Sequence, residues 1–256
     1  MGILDKFKLD GKVAVVTGST RGLGKACAIA LAEAGANVVI TGTTLDPAEA
    51  VAAEIAGATG VTTLGLACDV RSKQSVDAMI DAILAKFGQL DIAFNNAGIA
   101  TVGAAEDITE EQFDDLMAVN VKGVFLTTQA AGKVMLKQGS GSIINMASMS
   151  AHIVNVPQNI SHYCASKAAV LQYSRSVAAE WAARGVRVNV VSPGYHLTEM
   201  ALQFEDLIND WWVPRIPMAR AAEPAELGGA VVFLASDASS YMTGSELITD
   251  GGYSLW

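Results

Sequence analysis

Seven short, mostly apolar runs alternate with helix-like stretches along the whole chain. Runs of Val and Ile without strict polar alternation predict strands that are buried on both faces, as in a parallel sheet. Repeated strand–helix–strand units with short connections predict a doubly wound α/β sheet of about seven strands, with helices on both faces. The predicted strands are 12–16, 37–41, 61–66, 90–94, 142–146, 186–191 and 246–248, and the predicted helices are 22–34, 47–56, 72–87, 109–137, 161–184 and 224–235.

Composition limits what else the chain can be. Its 256 residues are 51% hydrophobic and 17% charged, which predicts one folded domain over 1–256 and excludes a disordered protein. The net charge of −9 repels phosphate backbones, so we expect no nucleic-acid partner. We also expect no membrane span and no signal peptide, because the apolar stretches are too short. Three scattered cysteines, Cys27, Cys68 and Cys164, indicate no metal site and are typical of a reduced, cytoplasmic protein.

A glycine-rich turn lies between the first predicted strand and the first predicted helix. Residues 17–24 read Thr-Gly-Ser-Thr-Arg-Gly-Leu-Gly. Glycines permit a tight turn and let backbone N–H groups approach a pyrophosphate, which a helix N-terminus also attracts. Such a turn can merely connect two elements, but its position after the first strand favours dinucleotide binding. The residues predicted to contact the cofactor here are Gly18, Thr20, Arg21, Gly22, Leu23 and Gly24.

Tyr163 and Lys167 are four residues apart on a predicted helix, so their side chains share one face. A free tyrosine titrates near pH ~10, which is too high for a proton shuttle at neutral pH. A cation beside it favours the phenolate and lowers the tyrosine pKa toward the working range. On its own the spacing is common, and a surface Tyr–Lys pair is the simpler interpretation. The neighbouring motifs decide between the two.

Six motifs stand in a fixed order along the chain: the turn 17–24, Asn95-Asn96-Ala97-Gly98, Asn120, Ser148, Tyr163-x-x-x-Lys167 and Pro193-Gly194. In this order and at these distances they resemble the short-chain dehydrogenase/reductase family across nearly the whole chain. The resemblance implies a single-domain Rossmann-type fold and an NAD(P)(H)-dependent oxidoreductase that acts on CH–OH groups. It also implies a homotetramer or homodimer.

The resemblance implies a role for each catalytic candidate. Tyr163 is the general acid/base, and Lys167 lowers its pKa and binds the nicotinamide ribose. Ser148 hydrogen-bonds the developing alkoxide. Asn120 bends its helix and holds a water that links the lysine to solvent; without the other motifs, a capping or partly exposed amide is the simpler interpretation. The family's usual spacing to the tyrosine selects Ser150, whereas alignment from the strand end selects Ser148, which we prefer, with Ser150 as its neighbour.

The end of the second strand bears on the choice of nicotinamide cofactor. An NAD enzyme usually has an acidic residue there, but this chain has Gly42 and no carboxylate before Asp46. We therefore expect NADP(H) rather than NAD(H), with Arg21 and threonines 41, 43 and 44 as hydrogen-bond donors, although no arginine follows Gly42. Asp69 matches the family residue that contacts adenine, and a helix N-cap is its alternative interpretation. The other residues that the resemblance assigns to the cofactor are Thr41, Thr43, Val70, Asn95, Ala97, Gly98, Pro193, Gly194 and Thr198, together with Tyr163 and Lys167.

Two segments are predicted to form the substrate side. Residues 195–217 match the family's substrate lid, and their large apolar side chains either close over a substrate or pack under the helix or at a subunit contact. These side chains are Met200, Leu202, Phe204, Trp211 and Trp212. The loop between the catalytic serine and tyrosine is polar, which suits a hydroxylated substrate. The predicted substrate contacts are Ser148, Ser150, His152, Tyr163 and Tyr195.

Overall resemblance to polyol dehydrogenases and ketose reductases predicts a small-molecule carbonyl or alcohol substrate, most simply a sugar or polyol and its ketose. A 3-oxoacyl thioester reductase is a rival interpretation. It would need a basic patch for an acidic carrier protein, and Lys and Arg are sparse near residues 138–165. A second rival is a non-catalytic nucleotide-binding protein, which would not need an intact catalytic set.

Overall fold

A computed structural model describes residues 2–199 and 201–255; Met200, Trp256 and the side chain of Phe204 lie outside the described part. The described residues form a seven-stranded sheet in the order β3-β2-β1-β4-β5-β6-β7, in which every neighbouring pair is parallel. This order confirms the predicted doubly wound sheet. The strands are β1 Val13–Val16, β2 Asn37–Gly42, β3 Thr63–Ala67, β4 Ile92–Asn95, β5 Gly141–Met146, β6 Val186–Pro193 and β7 Glu246–Thr249.

Helices cover both faces of the sheet. The main ones are α1 Gly22–Glu33, α2 Leu45–Thr59, α3 Lys73–Phe87, α4 Glu110–Met117, α5 Gly123–Gln138, α6 Ser161–Trp181 and α7 Gly228–Ala235. Successive residues of a strand point to opposite faces. Ala14 and Val16 of β1 pack with α1, α2 and α7, whereas Val13 and Val15 pack with α3, α5 and α6. A uniformly apolar strand is the consequence of these two covered faces. Within the part of the chain that the structure describes, no helix has the length and apolar character to cross a membrane.

The predicted helix 109–137 is divided in the structure. Its start is confirmed, because Thr109 Oγ1 accepts from Gln112 N (3.2 Å) and Gln112 Oε1 accepts from Thr109 N (3.0 Å), which is a capping box. A π-helical turn, Ala118–Lys122, then separates α4 from α5. The turn contains the buried Asn120. Single π turns inside helices are frequent at functional sites.

The topology brings the sequence motifs to one edge of the sheet. β1 lies between β2 and β4, so the strand order changes direction there and leaves a crevice beyond the carboxyl ends of β1 and β4. The glycine turn follows β1, and residues 96–98 follow β4. Ser148 follows β5, and Pro193 ends β6. The motifs that are far apart in sequence therefore surround one crevice.

Candidate active site

The glycine turn has the backbone geometry of an anion-binding loop. Gly18 and Gly22 have φ angles of +62° and +56°, in the left-handed region that favours glycine. A Cβ on Gly24 would lie 2.4 Å from both Asn96 Nδ2 and Gly18 O, so the close approach needs glycine. Within the described chain, the side chain of Arg21, the N-cap residue of α1, does not cap the helix. The first N–H groups of α1 are thus available, and with the helix dipole they fit the pyrophosphate of a dinucleotide.

Asn96 ties the glycine turn to the end of β4. Its Nδ2 donates to Thr17 O (2.9 Å) and to Gly18 O (3.0 Å). In return, Thr17 Oγ1 accepts from the backbone N–H groups of Asn96 and Ala97, both at 3.0 Å. A Cβ on Gly18 would lie 3.0 Å from Ala97 Cα. Asn96 is not among the predicted site residues, although two consecutive amides at a strand end are a signal for such a role.

Thr41, at the end of β2, supports the glycine turn from below. Its N–H donates to Ser19 Oγ (3.0 Å), and its carbonyl accepts from Ser19 N (2.8 Å). Its hydroxyl donates to Val16 O (3.3 Å), and the residue is fully buried. The Thr41 hydroxyl is therefore used inside the protein and does not face a 2′-phosphate, contrary to the prediction.

The residues next to Thr41 are the ones that face outward. A Cβ on Gly42 would lie 2.7 Å from Thr20 Cγ2, so the glycine and the threonine are in direct contact. Arg21, Thr43 and Thr44 are exposed at the same edge. An exposed guanidinium and two exposed hydroxyls can hydrogen-bond a phosphate.

Asp69 follows β3 and is paired with Arg71. Arg71 Nε donates to Asp69 Oδ1 (3.0 Å) and its NH2 group to Oδ2 (2.9 Å), and this guanidinium holds the pKa of Asp69 below its usual range. The alternative N-cap interpretation of Asp69 is wrong, because the N-cap of α3 is Ser72, whose Oγ accepts from Ser75 N (3.3 Å). Val70 is buried, so its side chain packs in the core.

Asn95 points its side chain away from the cofactor edge. Its Nδ2 donates to Thr128 Oγ1 (3.0 Å) and to Asn145 Oδ1 (2.8 Å). Asn145 Nδ2 in turn donates to Ser174 Oγ (2.8 Å). These bonds join β4 and β5 to α5 and α6. The Asn95 side chain therefore stabilises the packing of helices on the sheet instead of lining the adenosine side as predicted.

α6 carries Tyr163 and Lys167 on one face, as the spacing predicts. Lys167 Nζ lies 5.5 Å from the centroid of the Tyr163 ring and donates to Met146 O at the carboxyl end of β5 (3.0 Å). Lys167 is only 3% exposed. Burial disfavours the ammonium and lowers the pKa of Lys167 to about 8. The group is therefore able to gain or lose a proton near neutral pH.

The pKa of Tyr163 differs from the expectation. Burial raises the pKa of the phenol, and the Ser148 hydroxyl offsets this only in part. The Lys167 ammonium, which the spacing predicts to lower the tyrosine pKa, donates to Met146 O instead. The phenol is thus protonated at neutral pH. A protonated phenol suits a donor of a proton to a carbonyl oxygen.

Ser148 lies next to the tyrosine and is supported by Ser150. The two hydroxyl oxygens are 3.1 Å apart, and Ser148 Oγ also accepts from Ser150 N at 3.1 Å. Both side chains are buried. Since Ser148, and not Ser150, acts on the pKa of the Tyr163 phenol, the structure favours the alignment that starts from the strand. Ser150 is its immediate neighbour.

Asn120 connects the π turn to two other parts of the site. Its Oδ1 accepts from Ile99 N (2.8 Å), and its Nδ2 donates to Ile99 O (2.9 Å) and to Ser166 Oγ (3.1 Å). A Cβ on Gly98 would lie 3.3 Å from Asn120 Oδ1 and 3.5 Å from Lys167 Nζ, so the amide and the ammonium flank this glycine. The capping interpretation of Asn120 is wrong, because the amide is fully buried in mid-helix and bonds to neighbouring segments.

Both histidines of the loop 149–162 make contacts within the protein. His152 Nε2 lies 2.7 Å from Glu246 Oε1 on β7, so the imidazole is turned to the edge of the sheet, contrary to the prediction of a substrate contact. His162 is buried, and its Nε2 lies 2.6 Å from Thr101 Oγ1. Among the described residues, no group of three or more His, Cys, Asp or Glu side chains converges as metal ligands would.

The segment after β6 crosses the crevice. Gly194 N donates to Thr249 O (3.0 Å), and a Cβ on Gly22 would lie 3.8 Å from Thr198 Cγ2, so Thr198 faces the glycine turn. The two tryptophans have different surroundings. Trp212 is 5% exposed and stacks on Tyr195, whereas Trp211 is 36% exposed and lies under Arg215.

Known proteins resemble both the sequence and this geometry. A family model described as "Enoyl-(Acyl carrier protein) reductase" matches residues 18–254. D-threitol dehydrogenase of Mycolicibacterium smegmatis is 44% identical over 97% of this chain and 95% of that protein. The crystal structure of a short-chain type dehydrogenase/reductase from Mycobacterium marinum has a TM-score of 0.95 and 47% identity, covering 98% of this chain and 99% of the other. This chain belongs to the short-chain dehydrogenase/reductase family.

A further member of the family has been solved with its cofactor. The gluconate 5-dehydrogenase from Burkholderia cenocepacia, in complex with NADP and tartrate, has a TM-score of 0.95 and 36% identity, and the match covers all of both chains. Family membership identifies this protein as an NAD(P)-dependent oxidoreductase, as the motifs imply. The close approach at Gly18 and Gly24 and the uncapped start of α1 fit a bound dinucleotide.

Proposed function

We propose that this short-chain dehydrogenase/reductase interconverts a secondary alcohol and a ketone, in a sugar or polyol and its ketose, with NADP(H) as the hydride carrier. One observation carries the proposal. Tyr163 has the buried Lys167 beside it, with Nζ 5.5 Å from the ring centroid, and Ser148 lowers the pKa of its phenol, at the sheet edge where the glycine turn fits a dinucleotide.

In the direction of reduction, Ser148 Oγ donates a hydrogen bond to the substrate carbonyl oxygen, where negative charge develops. When bound at the glycine turn, the nicotinamide cofactor would supply the hydride that the carbonyl carbon receives. Tyr163 gives its proton to the oxygen, so that hydride and proton together convert the ketone to the secondary alcohol. Lys167 Nζ lies 5.5 Å from the centroid of the ring that becomes the phenolate, and its bond to Met146 O holds it there. Asn120 bonds to Ile99 and so holds the loop after β4 beside Lys167. Oxidation is the reverse of these steps.

We infer a neutral polyhydroxylated substrate. D-threitol is a polyol and gluconate is a sugar acid, so the two relatives share hydroxylated chains and differ in charge. Residues 138–166, which include Ser148 and Tyr163, contain no Lys or Arg to bind a carboxylate. Of the cations after β6, Arg215 lies over the Trp211 ring and Arg220 forms two bonds of 2.7 Å with Glu226. The same shortage of cations disfavours an acidic acyl carrier protein as a partner.

The preference for NADP(H) rests on the end of β2. Gly42 leaves no carboxylate to repel a 2′-phosphate, and Arg21 and Thr43 are exposed beside it. The solved gluconate 5-dehydrogenase has NADP bound. A homotetramer or homodimer, a cytoplasmic location and a lid at 195–217 stay predictions from the sequence.

The test is NADPH oxidation with a panel of ketoses, a keto-acid of matched length and an acetoacetyl thioester. We expect turnover with a ketose, weaker turnover with the keto-acid and none with the thioester. Tyr163→Phe should abolish turnover while NADPH binding, measured by fluorescence, is unchanged. Tyr173→Phe is the matched control on the same helix, since its ring packs on Phe125 with centroids 6.0 Å apart. Tight NADPH binding without turnover of any carbonyl would contradict the proposed function, and an active Tyr163→Phe variant would contradict the proton donor.

A further inference from the structure

Five side chains connect the loop 149–160, the segment 195–217 and the C-terminal turn. They are Asn155, Gln158, Tyr195, Trp212 and Tyr253. At the centre of this cluster, Tyr195 stacks on Trp212 with ring centroids 4.1 Å apart and an interplanar angle of 6°. Tyr253 packs its edge on the same tyrosine, with centroids 5.3 Å apart at 82°. Trp212 and Tyr253 are 5% and 7% exposed, so the cluster is a small core of its own.

A chain of hydrogen bonds crosses this apolar cluster. Asn155 Nδ2 donates to the Tyr195 hydroxyl (3.0 Å), and the hydroxyl donates to Gln158 Oε1 (2.9 Å). Trp212 Nε1 donates to the same Gln158 oxygen (3.3 Å). The single proton of the Tyr195 hydroxyl is therefore committed to Gln158, so the predicted substrate contact of Tyr195 is not a hydrogen bond donated by this hydroxyl in this arrangement.

The backbone of Tyr195 is held independently of its side chain. Its carbonyl accepts from Ala222 N (3.0 Å), and Leu197 N donates to Ala222 O (2.8 Å). The hydroxyl is thus not needed to place the residue, and its two bonds act only between segments. On the loop side, Asn155 Oδ1 accepts from Cys164 Sγ (3.8 Å), and Cys164 is the residue after Tyr163. The contacts therefore run from Trp212 to the helical turn that carries the catalytic tyrosine.

We propose that Tyr195 is a positioning residue: its hydroxyl bonds to the loop 152–160 and its ring stacks on Trp212, so that it holds residues 201–215 against the loop and thereby sets the space available to the substrate above Ser148 and Tyr163. A bonded polar network specifies one arrangement of the segments that it joins, which apolar packing alone does less well. The stacked rings provide apolar packing, and the hydrogen bonds of the hydroxyl fix the position of the segment 195–217 relative to the loop 152–160. The inference rests on the proposed function, because it assigns the substrate pocket to these two segments.

Tyr195→Phe removes the hydroxyl and keeps the stack on Trp212. Each neutral hydrogen bond contributes modestly, so we expect the KM for the substrate to rise about tenfold and kcat to change by less than about twofold. In hydrogen exchange of the full chain with saturating NADPH, amides in 201–215 and 152–160 should exchange about tenfold faster, and those in 17–24 should not change. Tyr241→Phe is the control, because Tyr241 is fully exposed.

Hydrogen exchange separates this inference from the proposed function, since it needs no substrate. Unchanged exchange in both segments of Tyr195→Phe would overturn the role of the hydroxyl, even if sugars are turned over. Gln158→Met is the second variant, because it removes the shared acceptor from a half-buried loop position with little change in size. It should loosen 201–215 in the same way. An effect of Tyr195→Phe on kcat alone, with KM and exchange unchanged, would also overturn the inference.

Discussion

Gly42→Asp tests how the end of β2 selects the cofactor. A Cβ at position 42 would lie 2.7 Å from Thr20 Cγ2 and 3.5 Å from Thr20 Oγ1. Threonine is β-branched and has few rotamers with which to relieve such a contact. Overpacking of this kind costs about 1–3 kcal/mol. The contact strains the folded protein with or without cofactor, and because Thr20 lies in the glycine turn, its displacement affects NADPH and NADH alike.

The new carboxylate adds a repulsion that only NADPH experiences. Two unit charges 4 Å apart repel by about 1 kcal/mol in water, so a 2′-phosphate with nearly two charges is repelled by about 2 kcal/mol. This repulsion of about 2 kcal/mol corresponds to an additional loss of NADPH affinity of about thirtyfold. For NADH the effect of the displaced turn is partly offset by hydrogen bonds between the carboxylate and the ribose hydroxyls. We therefore expect the NADH affinity to change by about tenfold or less.

The measurement is the Kd of NADPH and NADH by fluorescence titration, which needs no knowledge of the substrate. Gly42→Ala adds the Cβ without the charge and should weaken both cofactors to the same extent. Combining Gly42→Asp with Thr20→Ala removes the contacting methyl and should recover about tenfold in NADH affinity while NADPH stays weak. The reasoning is refuted if Gly42→Asp leaves the NADPH Kd unchanged, because Gly42 would then not lie beside the 2′ position.

Two further predictions concern the buried polar groups of the site. The shift of the Lys167 pKa from 10.5 to about 8 corresponds to about 3 kcal/mol against the ammonium, and the lost bond to Met146 O offsets about 1 kcal/mol of this. Lys167→Met should be inactive, and at pH 7 its free energy of unfolding should exceed that of the wild type by about 2 kcal/mol. This difference in stability should close as pH rises from about 8 to 10.5, because the folded protein loses the lysine proton before the unfolded chain does. Urea unfolding at pH 7 and 10 measures the difference, and a difference that widens with pH would contradict the reasoning. Asn120→Ala leaves the N–H and carbonyl of Ile99 without their described partner, so we expect the free energy of unfolding to fall by about 2–3 kcal/mol in the same assay. A loss below about 0.5 kcal/mol would be evidence against the role of Asn120 in holding Ile99.

The sheet, and the placing of the candidate catalytic residues at one edge of it, could be predicted from the sequence because each leaves a local signal. A strand covered on both faces has to be apolar at every position, so Val13–Val16 is recognisable without knowing its partners. Tyr163, Lys167 and Ser148 are recognisable because their order along the chain matches the order in which the strands and helices reach the crevice. Even the choice of Ser148 over Ser150 follows from counting along β5.

The features that sequence reasoning missed depend on partners far away in the chain. The apolar surroundings of Asn120 indicate that its amide is used, but they do not reveal that the partner is Ile99 or that a π turn forms to reach it. His152 meets Glu246 across 94 positions of sequence. The pKa of Tyr163 is raised by burial, and the amount of burial is a property of the assembled crevice, not of the spacing to Lys167.

The polar loop before α6 shows why composition alone does not identify a substrate ligand. Its Asn155, Gln158 and His162 side chains predict a polar pocket wall, yet each is bonded to another part of the protein. Buried polar groups need hydrogen-bond partners. The polar side chains of a loop can therefore serve to fix the loop to the rest of the protein. The bonds of Asn155 and Gln158 converge on Tyr195 and those of His162 on the loop after β4. On the proposed function, the loop's polar side chains therefore orient Ser148 and Tyr163 relative to the segment 195–217, and we infer that they act on substrate choice through that geometry and not through direct contacts.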